Sequence, residues 1–485
     1  MPPVNALPSP KSPGVSRRYL LQGAAAWLGA AAFAPSLQAQ GEGPVLVLGA
    51  GLAGLAAALR LQDAGRQVLV LEAAARLGGR IHTLDKLPGR PETGGTQISN
   101  GYVRTLALCQ RLGLFLEPNA RSPLFGDARM VLFVQGRRRS LEQWAAADDN
   151  PLPAAVKALP PDRALARLLA PNPLSSVGAW RDPAHSALDI PALGPLRERG
   201  VSEAALALLD VNNAFGDTLA QTTLLHLHYT QANLTELLKT PGPVRNVVGG
   251  NQRLPEAMAA ALRTAPRMNS RVQAVEQDAS GVLVHATDGS RHRGSRLVCT
   301  LPLPALAAVR FTPALPARLA EAAALAAYAK VTQLHLEVIE PFWEADGSSP
   351  FLWSDGPLER VFPQDREGNG RPPTLTAWIN GAGTQRWDGL DDATAARLVE
   401  AELVRIWPSA RGAVRLLHRT AWHQDVLAGG AWINWAPGQI SRFSAALGPA
   451  VGRLHFAGEH TGRRLRGIEA AVESGERAAD EILAA

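Results

Sequence analysis

The clearest hydrophobic pattern in the chain runs over residues 45–72. A short apolar run at residues 45–48 predicts a buried strand, and the Ala- and Leu-rich stretch that follows predicts a helix, which Gly65 ends. A second apolar run at residues 67–71 predicts another strand, which finishes at Glu72. This order of strand, helix and strand indicates a βαβ unit and therefore an α/β fold with a parallel sheet.

The turn between the first strand and the helix reads GAGLAG, with glycines at positions 49, 51 and 54. Gly49 allows a tight turn, Gly51 lets the backbone approach a pyrophosphate, and Gly54 lets the helix pack closely on the strand. The helix N-terminus then presents unpaired N–H groups to phosphates. Glu72 stands where a carboxylate accepts hydrogen bonds from ribose hydroxyls. The unit therefore predicts a dinucleotide-binding site.

The rest of the chain mixes both periodicities. Alternation of period 2 predicts strands at residues 270–276, 281–287, 296–300, 330–337 and 374–381. Helical periodicity is found at residues 102–114, 161–169, 201–209, 393–407 and 468–483. A second domain of α+β type is expected, with residues 122–240 supplying a helical part to which no site residue is assigned.

Composition restricts the class of protein. With 485 residues, 46% of them hydrophobic and 19% charged, the chain is long enough for two or three globular domains. Two cysteines, Cys109 and Cys299, exclude a disulfide framework and a zinc cluster, and free buried thiols are expected. Without the basic N-terminal leader the net charge falls from +6 to about +3, which does not indicate a protein that binds nucleic acid.

Two further glycine motifs narrow the interpretation. RLGGR follows the predicted ribose acid at residues 76–80, and LHFAGEHT lies at residues 454–461, before the C-terminal helix. With the first glycine turn, these motifs resemble the flavin-containing amine oxidase family over about residues 44–483. The resemblance implies an FAD-binding Rossmann-like domain built from residues 40–120, 241–304 and 415–485, with a substrate domain from residues 121–240 and 305–414.

FAD is the cofactor that the resemblance implies. The residues that it assigns to FAD binding are Gly49, Gly51, Gly54, Glu72, Arg76, Gly78, Gly79, Arg80, Gly95, Val272, Trp422, Gly458 and Glu459. For Gly95 an ordinary turn stays an alternative. Members that attach FAD covalently have a cysteine immediately before an aromatic residue of the substrate cage, where this chain has Ala431. Non-covalent FAD is therefore expected.

Three positions are candidates for the catalytic site. The resemblance implies that Lys330 holds a water at the flavin, although a surface lysine is the alternative, and that Trp432 forms one wall of the substrate cage, although it could be a core tryptophan. Gly467 stands where the family pattern has a second cage aromatic. The missing wall leaves room for a bulkier or secondary amine, as in bacterial nicotine-type oxidoreductases.

The leader predicts export. Arg17 and Arg18 precede a short apolar region and a small-residue exit near Ala39, which is typical of a twin-arginine signal at residues 1–39. A periplasmic protein exported by the Tat machinery is expected, with an uncleaved N-terminal anchor as the alternative.

The main functional hypothesis is an FAD-dependent oxidation of a small-molecule amine to an imine, which water then hydrolyses. Oxygen or a periplasmic electron carrier would reoxidise the flavin. The sequence leaves the oligomeric state open, with a homodimer as one candidate. An FAD-dependent desaturase or protoporphyrinogen-type oxidase is one alternative. A non-catalytic flavin-binding partner protein, suggested by Gly467, is the other.

Overall fold

Three larger sheets and two antiparallel pairs of strands build the protein, described here from a computed structural model for residues 43–119, 129–213, 216–364 and 371–485. The predicted signal at residues 1–39 lies outside the described residues. The strands are β1 (Val45–Leu48), β2 (Val68–Leu71), β3 (His82–Thr83), β4 (Glu92–Gly94), β5 (Leu116–Pro118), β6 (Val131–Val134), β7 (Arg137–Arg139), β8 (Arg245–Val247), β9 (Val272–Asp278), β10 (Gly281–Ala286), β11 (Arg291–Gly294), β12 (Arg296–Cys299), β13 (Arg310–Thr312), β14 (Val331–Val338), β15 (Leu352–Ser354), β16 (Arg360–Gln364), β17 (Thr374–Asn380), β18 (Val414–Ala421) and β19 (Leu454–Phe456). The α-helices are α1 (Leu52–Asp63), α2 (Val103–Arg111), α3 (Leu141–Ala146), α4 (Pro161–Leu168), α5 (Leu193–Glu198), α6 (Glu203–Asp210), α7 (Leu224–Leu238), α8 (Arg253–Ala260), α9 (Leu303–Ala307), α10 (Ala317–Leu325), α11 (Asp392–Ile406), α12 (Gln439–Phe443) and α13 (Gly467–Leu483).

The first sheet is parallel and brings distant parts of the chain together. Its order is β19–β12–β1–β2, so the C-terminal strand lies in the same sheet as the N-terminal βαβ unit. Every residue of β1 is buried, as expected for a strand covered on both faces. Helix α1 is buried along most of its length and packs against α13. The predicted βαβ unit and the α/β fold class are confirmed.

A second sheet, of order β11–β10–β9–β13, takes its strands from residues 272–294 and 310–312. The three strands expected between residues 270 and 300 therefore divide between two sheets. Strands β9 and β10 pair antiparallel, whereas β12 pairs with β1 in the parallel sheet. Local alternation predicts each strand but not the sheet that it joins.

The third sheet has seven strands in the order β18–β14–β17–β16–β15–β6–β7. Residues 131–139 supply two of its strands, so the segment expected to be helical also contributes to a sheet. Strand β18 pairs with β14, which places residues 415–421 in this sheet although the expected boundary assigns them to the cofactor domain. The domain boundaries stay predictions.

The two cysteines are buried and free, as predicted: Cys109 lies in α2 and Cys299 in β12. Burial raises the pKa of the Cys109 thiol to about 11 and that of Cys299 to about 12, so both stay protonated. Within the described ranges, no helix is long and apolar enough to cross a membrane.

Candidate functional site

A cavity of about 720 Å³ is lined by the βαβ turn, by residues that follow β19, and by residues of β14, β17 and α13. Most of the residues predicted for the site line it. These are Gly49, Gly51, Glu72, Arg76, Gly78, Gly79, Arg80, Gly95, Val272, Trp422, Trp432, Gly458, Glu459 and Gly467. Gly54 and Lys330 are not among the lining residues.

The glycines of the first turn have different roles. Gly49 has φ +99°, a conformation that side chains rarely adopt. A Cβ on Gly54 would lie 1.9 Å from the carbonyl oxygen of Gly49, which explains why this glycine packs the helix rather than lining the cavity. By contrast, a Cβ on Gly51 would meet no atom closer than 3.9 Å. Gly51 thus leaves its backbone open to a ligand.

Glu72 is held in place by backbone donors at the end of β2. The N–H of Ala50 donates to its Oε2 at 2.7 Å and the N–H of Ala74 donates to its Oε1 at 2.8 Å. The carboxylate is buried and lines the cavity. Each oxygen keeps a lone pair for a further donor, so this acid can accept from ribose hydroxyls as predicted.

Arg80 and Glu459 form a buried ion pair in the cavity wall. Nη1 of Arg80 donates to Glu459 Oε1 at 2.9 Å and to the carbonyl oxygen of Ala431 at 3.1 Å. The N–H of Ile433 also donates to Glu459 Oε1, at 2.9 Å. Burial acts to raise the pKa of Glu459, but Arg80 and the other neighbouring donors outweigh it and lower the pKa. Glu459 therefore links the RLGGR loop to the segment that carries Trp432.

These features fit a dinucleotide cofactor. Open backbone at Gly51 and Gly79, the N-terminus of α1 and the acid at the end of β2 are what a pyrophosphate and a ribose require. Gly458, with φ +126°, brings the C-terminal segment to the same wall. The chemistry of the lining residues therefore fits FAD.

Three tryptophans line the cavity. Trp422 is buried and its Nε1 donates to the carbonyl oxygen of Thr93 at 2.7 Å. Trp432 stacks on Trp378, with ring centroids 6.5 Å apart and planes 27° apart. No functional role was predicted for Trp378, although it lies in β17, a strand that was predicted correctly. The structure thus gives Trp432 an aromatic neighbour at a position different from the expected second wall.

Gly467 is the first residue of α13 and has φ +61°. A Cβ there would meet no atom nearer than the Tyr102 hydroxyl, at 4.0 Å. The space of the expected second aromatic wall is therefore open, and Tyr102 and Arg466 line the cavity beside it.

Lys330 is not brought to the cavity. Its ammonium donates to Asp217 Oδ2 at 2.5 Å, and Val331, the first residue of β14, lines the cavity instead. The alternation of the strand identifies two faces but not which face meets the cofactor. The structure shows this lysine paired with Asp217, and its role beside the flavin stays a prediction.

A buried carboxyl lies behind Trp378. Oε2 of Glu359 accepts from Asn212 Nδ2 at 2.7 Å and from the Asn380 N–H at 2.9 Å. Asn212 also donates to the Trp378 carbonyl oxygen, and Asn380 accepts from the Trp378 indole. Burial raises the pKa of Glu359 to about 7, because desolvation outweighs these donors. This network holds the tryptophan that stacks on Trp432.

Glu359→Gln is expected to become more stable relative to the parent protein as the pH rises. The raised pKa means that the folded state favours the protonated acid, so the contribution of Glu359 is present below its ordinary pKa and is lost as the pH rises through about 7. By pH 8 the advantage of the amide should reach about 3 kcal/mol. Denaturant titrations of both proteins at pH 5 and pH 8 measure it, and a difference that does not vary with pH would contradict the protonated assignment.

Comparisons with known proteins also indicate a flavin-containing protein. A family model described as flavin containing amine oxidoreductase matches residues 52–483. The L-amino-acid oxidase of Mus musculus is 28% identical over 474 residues, which cover 90% of this chain and 70% of that protein. The flavin-containing amine oxidase B of Bos taurus is 25% identical over 464 residues, or 90% and 86% of the two chains.

Solved structures of amine oxidases have a similar fold. Cyclohexylamine oxidase from Brevibacterium oxydans IH-35A superposes with a TM-score of 0.74 at 27% identity and covers 91% of this chain and 98% of that one. Putrescine oxidase bound to putrescine has a TM-score of 0.75 at 23% identity, over 91% and 99% of the two chains, and supports the fold alone.

Proposed function

Because the chain belongs to the flavin-containing amine oxidoreductase family, we propose that it binds FAD non-covalently and oxidises an amine to an imine, which water then hydrolyses. The observation that carries the proposal is one continuous cavity that joins the dinucleotide-binding features at Gly51 and Glu72 to the aromatic walls at Trp432 and Trp378. A cofactor and a substrate can therefore meet in one cavity.

Non-covalent attachment is supported by the lining of the cavity. Neither cysteine of the chain lines it, and Ala431 occupies the position next to Trp432. The protonated, buried thiols at Cys109 and Cys299 offer no nucleophile to the cofactor. We expect denaturation in acid to release the flavin into the supernatant.

The flavin and the side chains of the cavity would have separate roles in the reaction. When bound, the flavin supplies the acceptor for a hydride from the α-carbon of the amine. The indoles of Trp432 and Trp378 form an apolar wall, which favours a neutral amine over its ammonium form and orients the carbon that reacts. Trp422, fixed by its hydrogen bond to Thr93, keeps water out on the neighbouring side.

Anaerobic mixing with amines tests the proposal. Amine-dependent bleaching of the flavin absorbance is the expected result, followed by an aldehyde, ketone or keto acid in the product mixture. Purified protein that contains flavin but is reduced by no amine would contradict it and would favour a non-catalytic flavoprotein.

Trp432→Ala is expected to lower kcat/KM for the amine by about 100-fold, because the substrate loses the wall that orients it. Flavin content should stay near that of the parent protein, since the indole Nε1 of Trp432 has no hydrogen-bond partner among the described residues. Trp432→Phe keeps an aromatic wall and should recover most of the activity. Rapid-reaction measurement of flavin reduction checks both variants, and unchanged kinetics in the alanine variant would show that Trp432 does not contact the substrate.

The export, the acceptor and the assembly remain part of the proposal. Residues 1–39 carry the twin-arginine pattern, which supports export by the Tat machinery to the periplasm. Oxygen or a periplasmic electron carrier would then accept the electrons, and a homodimer is the candidate assembly. Measuring hydrogen peroxide in the presence of oxygen distinguishes the two acceptors.

A further inference from the structure

Arg466 is one of the residues that line the cavity, and its guanidinium has no carboxylate partner among the described residues. Its Nη1 donates to Thr230 Oγ1 at 2.7 Å, and its guanidinium lies 5.8 Å from the centroid of the Tyr229 ring. Its backbone N–H is bound by the side chain of Asn233. A hydroxyl and an aromatic face orient the cation but leave its charge unbalanced.

Three other charged groups that line the cavity, Arg80, Glu459 and Glu72, have partners. Arg80 pairs with Glu459, and Glu72 accepts from two backbone N–H groups. Arg76 donates to the carbonyl oxygens of residues 77, 79 and 81. Burial lowers the pKa of Arg466, since desolvation outweighs the more distant Tyr229 and Glu459, yet a guanidinium stays charged at neutral pH. An unpaired buried cation is costly unless a ligand supplies the anion.

Open space and a second donor lie next to this cation. Gly467 follows directly in the chain and leaves its side-chain position empty, with the Tyr102 hydroxyl 4.0 Å from where a Cβ would be. Burial raises the pKa of Tyr102 to about 12, so its hydroxyl stays protonated and can donate. A cation and a neutral hydrogen-bond donor therefore border one open space in the wall. Both are groups that bind an anion.

We propose that Arg466 and Tyr102 bind the carboxylate of the substrate, so that the protein selects amines that carry a carboxylate, that is, amino acids, over simple amines. This inference rests on the proposed amine oxidation. The planar fork of a guanidinium matches a carboxylate and can hold it with two hydrogen bonds. Replacing the second aromatic wall by Gly467 gives the carboxylate its space, and the side chain of the amino acid then packs against Trp432 and Trp378.

Three related compounds isolate the carboxylate. L-Phenylalanine carries both groups, 2-phenylethylamine lacks the carboxylate, and 3-phenylpropanoate lacks the amine; L-leucine and 3-methylbutylamine repeat the first pair with an aliphatic side chain. In the parent protein, kcat/KM for the amino acids should exceed that for the matched amines at least 30-fold. In Arg466→Gln this ratio should fall at least 30-fold, through KM, while Arg466→Lys, which keeps the charge without the fork, should retain part of it.

Binding without turnover gives an independent readout. Titration with 3-phenylpropanoate should perturb the flavin absorbance of the parent protein and should do so at least 30-fold more weakly in Arg466→Gln. Tyr102→Phe and Thr230→Val, which remove one hydroxyl each, should weaken the same titration by a smaller factor. These two variants carry the test if Arg466→Gln does not fold with flavin.

The possible failures are distinguishable. If neither amino acids nor amines reduce the flavin of the parent protein, the proposed function fails. If both are oxidised and Arg466→Gln leaves their ratio and the 3-phenylpropanoate titration unchanged, only the assignment of Arg466 fails. Equal losses for both substrates together with a loss of flavin would show that Arg466 serves the cofactor instead, which also overturns the assignment.

Discussion

Glu459→Ala is expected to destabilise the protein by about 3–5 kcal/mol and to remove most of the bound flavin. The substitution leaves Arg80 in the cavity wall without its anion, and an uncompensated buried charge costs that much. It also frees the Ile433 N–H, so the segment with Trp432 loses one of its fixed points. Denaturant titration and the ratio of flavin to protein absorbance measure the two effects.

Asp480→Ala is the matched control for this variant. It removes an ion pair with Arg60 that is slightly shorter, at 2.7 Å against 2.9 Å, but in which both side chains are more than half exposed. Solvent screens such a pair, so little change in stability and none in flavin content is expected. Glu459→Gln keeps the acceptor without the charge and should lie between. Equal stability of Glu459→Ala and Asp480→Ala would show that the buried pair does not support the site.

The cofactor end of the site follows from local sequence. Gly49, Gly51 and Glu72 are predictable because each is required by the geometry of one βαβ unit, whose parts are adjacent in the chain. The C-terminal segment is recognised by its own motif, and β19 then joins the first sheet two strands away from β1. Short-range patterns of this kind need no knowledge of how the domains meet.

The substrate end depends on long-range pairing, which the sequence does not specify. Trp378 meets Trp432 only because β17 pairs with β14, whose other neighbour β18 leads into the segment that carries Trp432. Lys330 is a second example: it was predicted as the first residue of the strand that corresponds to β14, but Asp217, which binds it, comes from a remote segment. Arg466 could have been noticed as a cation next to the anomalous Gly467, but only the structure shows that it has no anion among the described residues.

Gly54→Ala is expected to abolish flavin binding, with a loss of stability of about 1–3 kcal/mol or more. The added methyl group would lie 1.9 Å from the Gly49 carbonyl oxygen, so α1 must move away from β1 or the turn must change. Helix α1 cannot move freely, because a Cβ on Gly475 of α13 would already lie 2.1 Å from the Ala53 carbonyl oxygen. The strain therefore falls on the turn at Gly49 and Gly51, where the pyrophosphate must approach.

Gly65→Ala separates this effect from a general loss of stability. Gly65 lies just beyond the other end of α1, has φ +81°, and would have no atom within 4 Å of an added Cβ. Alanine there costs roughly 1–2 kcal/mol of backbone strain but leaves the turn at Gly49 untouched. The variant should melt earlier yet keep its flavin, as measured by absorbance after gel filtration. Retention of flavin by Gly54→Ala as well would mean that close packing of α1 on β1 is not what shapes the cofactor site.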